Sequence, residues 1–243
     1  MTSIDTATNP SRLRIDVWSD VVCPWCYLGI TYLEQALEQF DNADRVDVVL
    51  RSFQLDPDVP VHDDVPLVTR LARKYGTTED QISRSQEQIR ARGVDVGIDF
   101  RFDLTARGNT MDAHRLLHRA ERFGSARDLK QRLFRAYFTE GEVVGDHDLL
   151  RRVGLEAGLD AAEVDEVLEG DVHQDDVLED RLEARRRGIT GVPYFLFDGD
   201  LALGGAQPVD RLVRVLTAVW DERVDPGLQT PGAQACGPEG CEA

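Results

Sequence analysis

The chain has 243 residues and carries 28 Lys and Arg against 45 Asp and Glu, a formal net charge of −17 at pH 7. That length buries a sizeable core in one large or two small domains, and 42% hydrophobic with 30% charged residues is a globular composition rather than a disordered one. So acidic a surface repels phosphate backbones and anionic lipid, which argues against nucleic-acid and membrane partners.

Leu13 to Trp18 alternates apolar and polar and then turns apolar, the pattern of a strand entering a core. Ser19 and Asp20 lead into Val21-Val22-Cys23-Pro24-Trp25-Cys26, and Leu28, Leu33, Leu37 and Phe40 then recur at helical spacing. Pro24 is tolerated because it falls in the first turn. Val46 to Leu55 reads as a second strand, and Pro57, Pro60 and Pro66 break the chain after it. From Leu67 to Arg187 the pattern is mostly helical. Thr77 or Thr78 caps a polar helix to Arg92, Gly93 to Gly108 is irregular, and Asn109 or Thr110 caps a helix to about Phe123. Arg127 to Thr139 is a further helix, Asp146 caps one ending at Ala157, Asp160 one ending at Leu168, and Val172 to Arg187 closes the block. Strand chemistry returns at Tyr194 to Phe197. Asp198-Gly199 turns the chain into Leu201 to Leu203, and Pro208 opens a last helix reaching Trp220.

The order is β-α-β, a helical block, then β-β-α. Neither half makes a stable sheet alone, so one sheet interrupted by an inserted helical domain is expected. The expected class is α/β, with residues 13–57 and 188–222 forming the sheet-bearing unit, 58–187 the helical insertion and 223–243 a mobile tail rich in Gly, Pro and Gln.

The first fourteen residues are polar and hold no apolar signal core, and no apolar run approaches the ~20 residues that span a bilayer. The expected compartment is the cytoplasm, where thiols are kept reduced. The four cysteines form two close pairs, too few for a disulfide scaffold and placed for redox chemistry or metal. Cys23-Pro24-Trp25-Cys26 opens a helix, whose unpaired N–H groups and dipole favour a thiolate at Cys23. Cys26 lies about one turn on, where it can resolve a mixed disulfide. Two chance core cysteines and a zinc half-site are the rival readings. Zinc knuckles usually set their cysteines in a tight turn, not at the start of a long amphipathic helix. Asp20 is close enough to oppose the thiolate, and Trp25 brings no charge, so a less oxidising pair is expected, within the span of about −270 to −120 mV known for such motifs. Val192-Pro193 stands before the returning strand. A proline there can be cis, and Val192 can then offer its backbone to an extended peptide.

The run Ser19 to Gly29, Asn109-Thr110 with Ala113-His114-Arg115, Gly191-Val192-Pro193-Tyr194-Phe195, and Gly204-Gly205-Ala206-Gln207-Pro208 together resemble the FrnE-type branch of the DsbA family, over roughly Leu13 to Trp220. The resemblance implies a thioredoxin fold with an inserted helical domain. It implies a thiol–disulfide oxidoreductase with Cys23 as nucleophile, Cys26 as resolving thiol and a cis Pro193 facing them. Pro24, Trp25, Val192, Pro193, Asn109 and His114 would line the substrate surface. Protein or small-molecule thiols and disulfides would be the partners, with glutathione or another small thiol as co-substrate, no bound cofactor, and a monomer or homodimer. Related glutathione-dependent isomerases of hydroxychromene carboxylates use a serine where this chain has Cys23, which argues against that activity. Some FrnE-like proteins carry a C-terminal C-x4-C like Cys236 and Cys241. That pair reads either as a second redox pair exchanging with Cys23 and Cys26 or as idle thiols on a tail. A zinc module using both pairs is the non-enzymatic alternative. His114 and His118 are four apart on one helical face, but no third metal ligand is evident, so no metal is expected. Arg185 to Arg187 suits a solvated helix end.

Overall fold

A computed structural model describes residues 12–59, 65–105 and 108–224. Among them are four strands and nine α-helices. Strand β1 (Leu13–Ser19) leads into α1 (Pro24–Glu38), and β2 (Val46–Ser52) pairs parallel with β1. After the helical block, β3 (Tyr194–Phe197) pairs antiparallel with β1, and β4 (Leu201–Gly204) with β3. The sheet order is β2-β1-β3-β4, and α9 (Val209–Val224) closes the chain against α1. This is the thioredoxin fold with helices α2 to α8 inserted between β2 and β3.

Successive side chains of a strand face opposite sides, and β1 uses both. Leu13, Ile15 and Val17 enter the main core with α1 and α9, where Phe40 meets Trp220 edge to face at 6.0 Å. Asp16 and Trp18 face the other way, toward α8 (Gln174–Arg186), where Trp18, Ala184, Ile189 and Leu196 make a second apolar cluster.

The inserted helices are α2 (Leu67–Tyr75), α3 (Glu79–Val94), α4 (Met111–Glu121), α5 (Ala126–Arg135), α6 (His147–Glu156), α7 (Ala161–Glu169) and α8. Thr78 closes a reciprocal capping box with Gln81, and the Asp146 carboxylate accepts the N–H groups of Asp148 and Leu149. Three details differ from the sequence reading. Strand β2 stops at Ser52, because the N–H of Leu55 is taken by the Asp20 carboxylate at 2.8 Å and the chain turns away. Asp160 precedes α7 without a capping bond from its side chain. Helix α5 ends at Arg135 and passes into a wider π-type turn, Ala136–Glu140, which buries Tyr137 and Phe138 together. No helix among the described residues is long and apolar enough to cross a membrane.

The insertion shares the main core of the sheet. Tyr27 of α1 stacks on Phe134 of α5 at 4.8 Å and meets Phe100 edge to face at 5.7 Å. On the other face of the sheet, α8 is pinned by charge. Asp180 accepts the Ser52 N–H at 2.8 Å and Arg51 at 3.0 Å, and Arg51 also binds Asp16 at 2.8 Å. Arg14 makes two further bonds to Asp16, each 2.9 Å.

Burial alone would raise the Asp16 carboxyl, but the bonds and charges of Arg14 and Arg51 outweigh it and hold Asp16 below the usual carboxylate range. A carboxylate lowered in the folded state adds stability above its unfolded value and loses it as pH falls through its folded value. Asp16→Asn should therefore cost about 1–3 kcal/mol at pH 7. In urea unfolding the gap between the two proteins should begin to narrow below about pH 4 and go on narrowing as pH falls further; a gap unchanged from about pH 5 to about pH 2.5 would show that the loss is not electrostatic.

Candidate active site

Cys23 is the N-cap of α1, with extended backbone (φ −100°, ψ 113°) and Pro24 following as the first helical residue. Its N–H donates to the Asp20 carbonyl at 3.2 Å, and its carbonyl accepts from Cys26 and Tyr27 at 3.0 and 3.2 Å. Its thiol makes no capping bond to the helix amides; Sγ donates instead to the Val192 carbonyl at 3.6 Å. Val192-Pro193 is cis, and Pro193 is brought under the helix by the absence of a side chain at Gly29. A Cβ at Gly29 would lie 2.8 Å from Pro193 Cγ and 3.3 Å from Phe195 Cζ. The Pro193 carbonyl accepts the Gly205 N–H at 2.8 Å, which ties the turn to the end of β4. The first turn of one helix and the cis-proline turn thus meet at one sulfur.

Cys23 and Cys26 are both free thiols. Cys23 is less accessible than its capping position implies, at 5% of its surface, while Cys26 shows none. Burial, and then the neighbouring Cys23, pushes the Cys26 thiol well above the usual range, against the opposing influence of the Asp20 backbone and the charge of Lys130. Cys26 is therefore a protonated, inward thiol, and Cys23 is the one that faces the surface.

His114 and Asn109 both have their polar atoms engaged within the protein. His114 is buried behind the cysteines, with Nε2 at 3.2 Å from the Asp20 carboxylate. Burial lowers its imidazole below the ordinary value, so it faces Asp20 as a neutral ring. Asn109 holds the chain after β2. Its amide donates to the carbonyls of Pro57 and Val59 at 3.2 and 2.9 Å, and its oxygen accepts the Met111 N–H at 2.9 Å, serving as the cap of α4 that Thr110 does not provide. His118 turns to Ser52 and Asp180 instead of pairing with His114. Among the described residues no cluster of three or more His, Cys, Asp or Glu is placed to hold a metal. Cys236 and Cys241 lie outside the described residues.

Sequence reading missed Tyr75 and Lys130. Tyr75 ends α2 with 63% of its surface exposed, and partial burial followed by the charge of Cys23 raises its phenol. Lys74 lies 6.0 Å from the Tyr75 ring, and Arg92 stands 5.2 Å over Trp25, two residues after Cys23. The signal for Tyr75 was weak, a single aromatic in a polar stretch. The signal for Lys130 was present: Ala126, Leu129, Lys130, Leu133 and Phe134 fall on one buried helical face, and Lys130 is the only charge among them. A cavity of about 350 Å³ lies elsewhere, between the sheet and α8, lined by Arg14, Asp16, Arg51 and Asp180, which pair among themselves.

The family model of the DSBA-like thioredoxin domain matches residues 14–217. A crystal structure of a probable DsbA oxidoreductase from Streptomyces coelicolor is 38% identical, with a TM-score of 0.82 over 96% of this chain and 99% of that one. The cytosolic disulfide reductase DsbM from Pseudomonas aeruginosa, at 21% identity and a TM-score of 0.61 over 84% of this chain and 97% of that one, shares the fold. The protein YwbO of Bacillus subtilis is 28% identical over 205 residues, 82% of this chain and 92% of that protein.

Gly29→Ala tests the seat of Pro193. The added methyl meets the proline ring and Phe195, neither of which has open space to move into, so a loss of about 1–3 kcal/mol is expected in denaturant unfolding. Unchanged stability would mean that the turn shifts freely and that α1 does not fix it.

Proposed function

We propose that this chain, which belongs to the DsbA-like thioredoxin domain family, exchanges disulfides with thiol substrates through Cys23 and Cys26. The observation that carries this is the inequality of the two thiols. Cys23 caps the helix beside the Val192 carbonyl at 3.6 Å, while Cys26 is fully buried one turn on and held protonated. A substrate sulfur reaches Cys23 first. Its thiolate attacks a disulfide R–S–S–R′, a bond forms between Cys23 and one substrate sulfur, and the other leaves as a thiolate. Cys26 then displaces the second substrate sulfur, leaving the Cys23–Cys26 disulfide. The protein pair gives up two electrons and two protons, and the substrate takes both. Run backward, the same steps oxidise a dithiol. No bound cofactor enters either direction.

Val192 and Pro193 sit where an extended substrate segment would lie, and the Val192 backbone is the polar group beside the reacting sulfur. Lys74 against Tyr75, whose phenol feels the charge of Cys23, and Arg92 over Trp25 bring positive charge into the neighbourhood of the pair, in a chain whose net charge is −17. That contrast favours an anionic thiol such as glutathione as co-substrate. The DsbM structure with glutathione, 20% identical at a TM-score of 0.60, shows a protein of this fold taking that ligand. A cytoplasmic, reducing setting fits such a partner. The isomerase reading fits less well, because Cys23 stands where those enzymes have serine.

Cys23→Ser should abolish reduction of insulin disulfides, and Cys26→Ser should hold glutathione or substrate protein as a mixed disulfide at Cys23, seen as a mass increase lost on reduction. Activity retained in Cys23→Ser, or no adduct on Cys26→Ser, would remove the proposed chemistry. Tyr75→Ala should change KM for protein disulfides more than kcat, by about tenfold, if the exposed ring acts as a docking contact; an equal fall in both would place it in the chemical step.

A further inference from the structure

Three buried ionisable groups around Cys26 have no role in the exchange steps as written. They are Asp20, His114 and Lys130, none more than 1% exposed. Lys130 is the unusual member, since a lysine is almost never fully buried without a partner. Its place is set by packing. Nζ lies 5.3 Å from the Phe134 ring, and that ring stacks at 4.8 Å on Tyr27, the residue after Cys26. The side chain is therefore packed at the contact of α5 with Tyr27, beside the residue that follows Cys26. The groups that reach it electrostatically are Cys23 and Cys26 from α1 and Asp20 from the turn before it, and Lys130 in turn acts on His114 from α4, which also feels His118. The Asp20 carboxylate is already engaged, by the Leu55 N–H and by His114. The anion that Lys130 can gain or lose during turnover is thus a cysteine thiolate.

We infer that Lys130, supplied by the inserted helical domain, is the positioning residue that governs the proton of Cys26 and so the second half of the exchange. This rests on the proposed disulfide chemistry. In the mixed disulfide, the Cys26 thiol passes its proton, directly or through water, to the fraction of Lys130 that is neutral amine, a fraction that grows as pH rises toward about 8. The Cys26 thiolate formed beside the new ammonium attacks the Cys23 sulfur, the Cys23–Cys26 bond forms, and the bond to the substrate sulfur breaks. The departing substrate thiolate takes the proton back from the ammonium, directly or through water. Charge, electrons and protons balance, and Asp20 takes no part in the transfer. The lysine value of about 8, pulled down by burial and pulled up by Cys26, Asp20 and Cys23, leaves a minor share of neutral amine at pH 7 where an ordinary lysine has almost none. With only the disulfide in place of the thiols, Lys130 retains Asp20 alone and should release its proton more readily.

The chain has two lysines, Lys74 and Lys130, so lysine labelled with carbon-13 at the ε position gives two signals. Lys74→Arg assigns them. The full chain is titrated as dithiol and as Cys23–Cys26 disulfide. Lys130 should titrate about one pH unit lower in the disulfide form than in the dithiol form. A titration identical in the two forms would overturn the inference. A kinetic arm uses Ellman's reagent on the chain with Cys236 and Cys241 replaced by serine, so that only two thiols report. Attack by Cys23 releases one chromophore and resolution by Cys26 a second. Lys130→Met should slow the second phase about a hundredfold near pH 7, with the deficit shrinking as pH rises and hydroxide does the work. A second phase with an unaltered pH profile in the folded variant would also overturn it. If the variant fails to fold, the titration of the unsubstituted chain decides alone. A second phase missing in the parent as well would instead bring down the disulfide chemistry on which the inference stands.

Discussion

Tyr27 stacked on Phe134 at 4.8 Å joins the two parts of the molecule, because Tyr27 belongs to the helix that carries both cysteines and Phe134 to the inserted domain. Helix α1 is packed on its other side as well, through Leu33 and Leu37 into the core shared with the sheet and α9. A helix clamped in this way cannot shift its first turn, and the first turn is where the chemistry is placed. Cys23 then faces Val192, Gly29 admits Pro193, and Cys26 points inward. If the Tyr27 contact were loosened, the distance from Cys23 to the Val192 turn and the environment of Cys26 would change together. Aromatic pairs of this kind contribute about 0.5–1.5 kcal/mol beyond area burial, small beside the whole core but concentrated at the one joint that sets the site.

The buried charges behind that joint work against stability. Lowering a lysine from 10.5 to about 8 costs about 3 kcal/mol of folding free energy. The penalty is present in full below about pH 8 and vanishes above the ordinary lysine value, so this group makes the fold more stable as pH rises through that window. His114 is likewise kept neutral by burial. A core of this size could hold apolar residues at both positions at less cost. What the buried charge of Lys130 provides is an influence on Cys26 that solvent does not screen, at a thiol more deeply buried than Cys23. The two thiols are chemically similar residues made unequal by where the chain puts them.

Much of the fold was legible because it is written in local pattern. The strand to helix change at Leu13 to Cys26, the capping box at Thr78, the cap at Asp146 and the Asp198-Gly199 hairpin each rest on a few neighbouring residues. The Cys23-to-Cys26 spacing and the Val192-Pro193 turn were also readable, each as half of a site. What was not legible depends on contacts across long stretches of chain. His114 reads as a residue lining the substrate surface, and its pairing with Asp20, 94 positions away, is not written in the local sequence. Asn109 looks like a substrate contact, yet its amide is spent on Pro57 and Val59. The end of β2 is set by Asp20 taking the Leu55 N–H, which no strand propensity encodes. Lys130 lies between. Its position on the apolar face of α5 was readable from periodicity, but the anions it faces come from another part of the fold.

The central claim is that Cys23 and Cys26 form one reversible redox couple. It is tested most directly by equilibrating the full chain in glutathione buffers of graded ratio, quenching with acid, and mapping the thiols by alkylation and peptide mass. A Cys23–Cys26 disulfide that appears and disappears as a single two-electron step, with a midpoint between about −270 and −120 mV, is the expected result. Two thiols that stay reduced at every ratio, or that oxidise independently onto separate glutathione adducts, would contradict it.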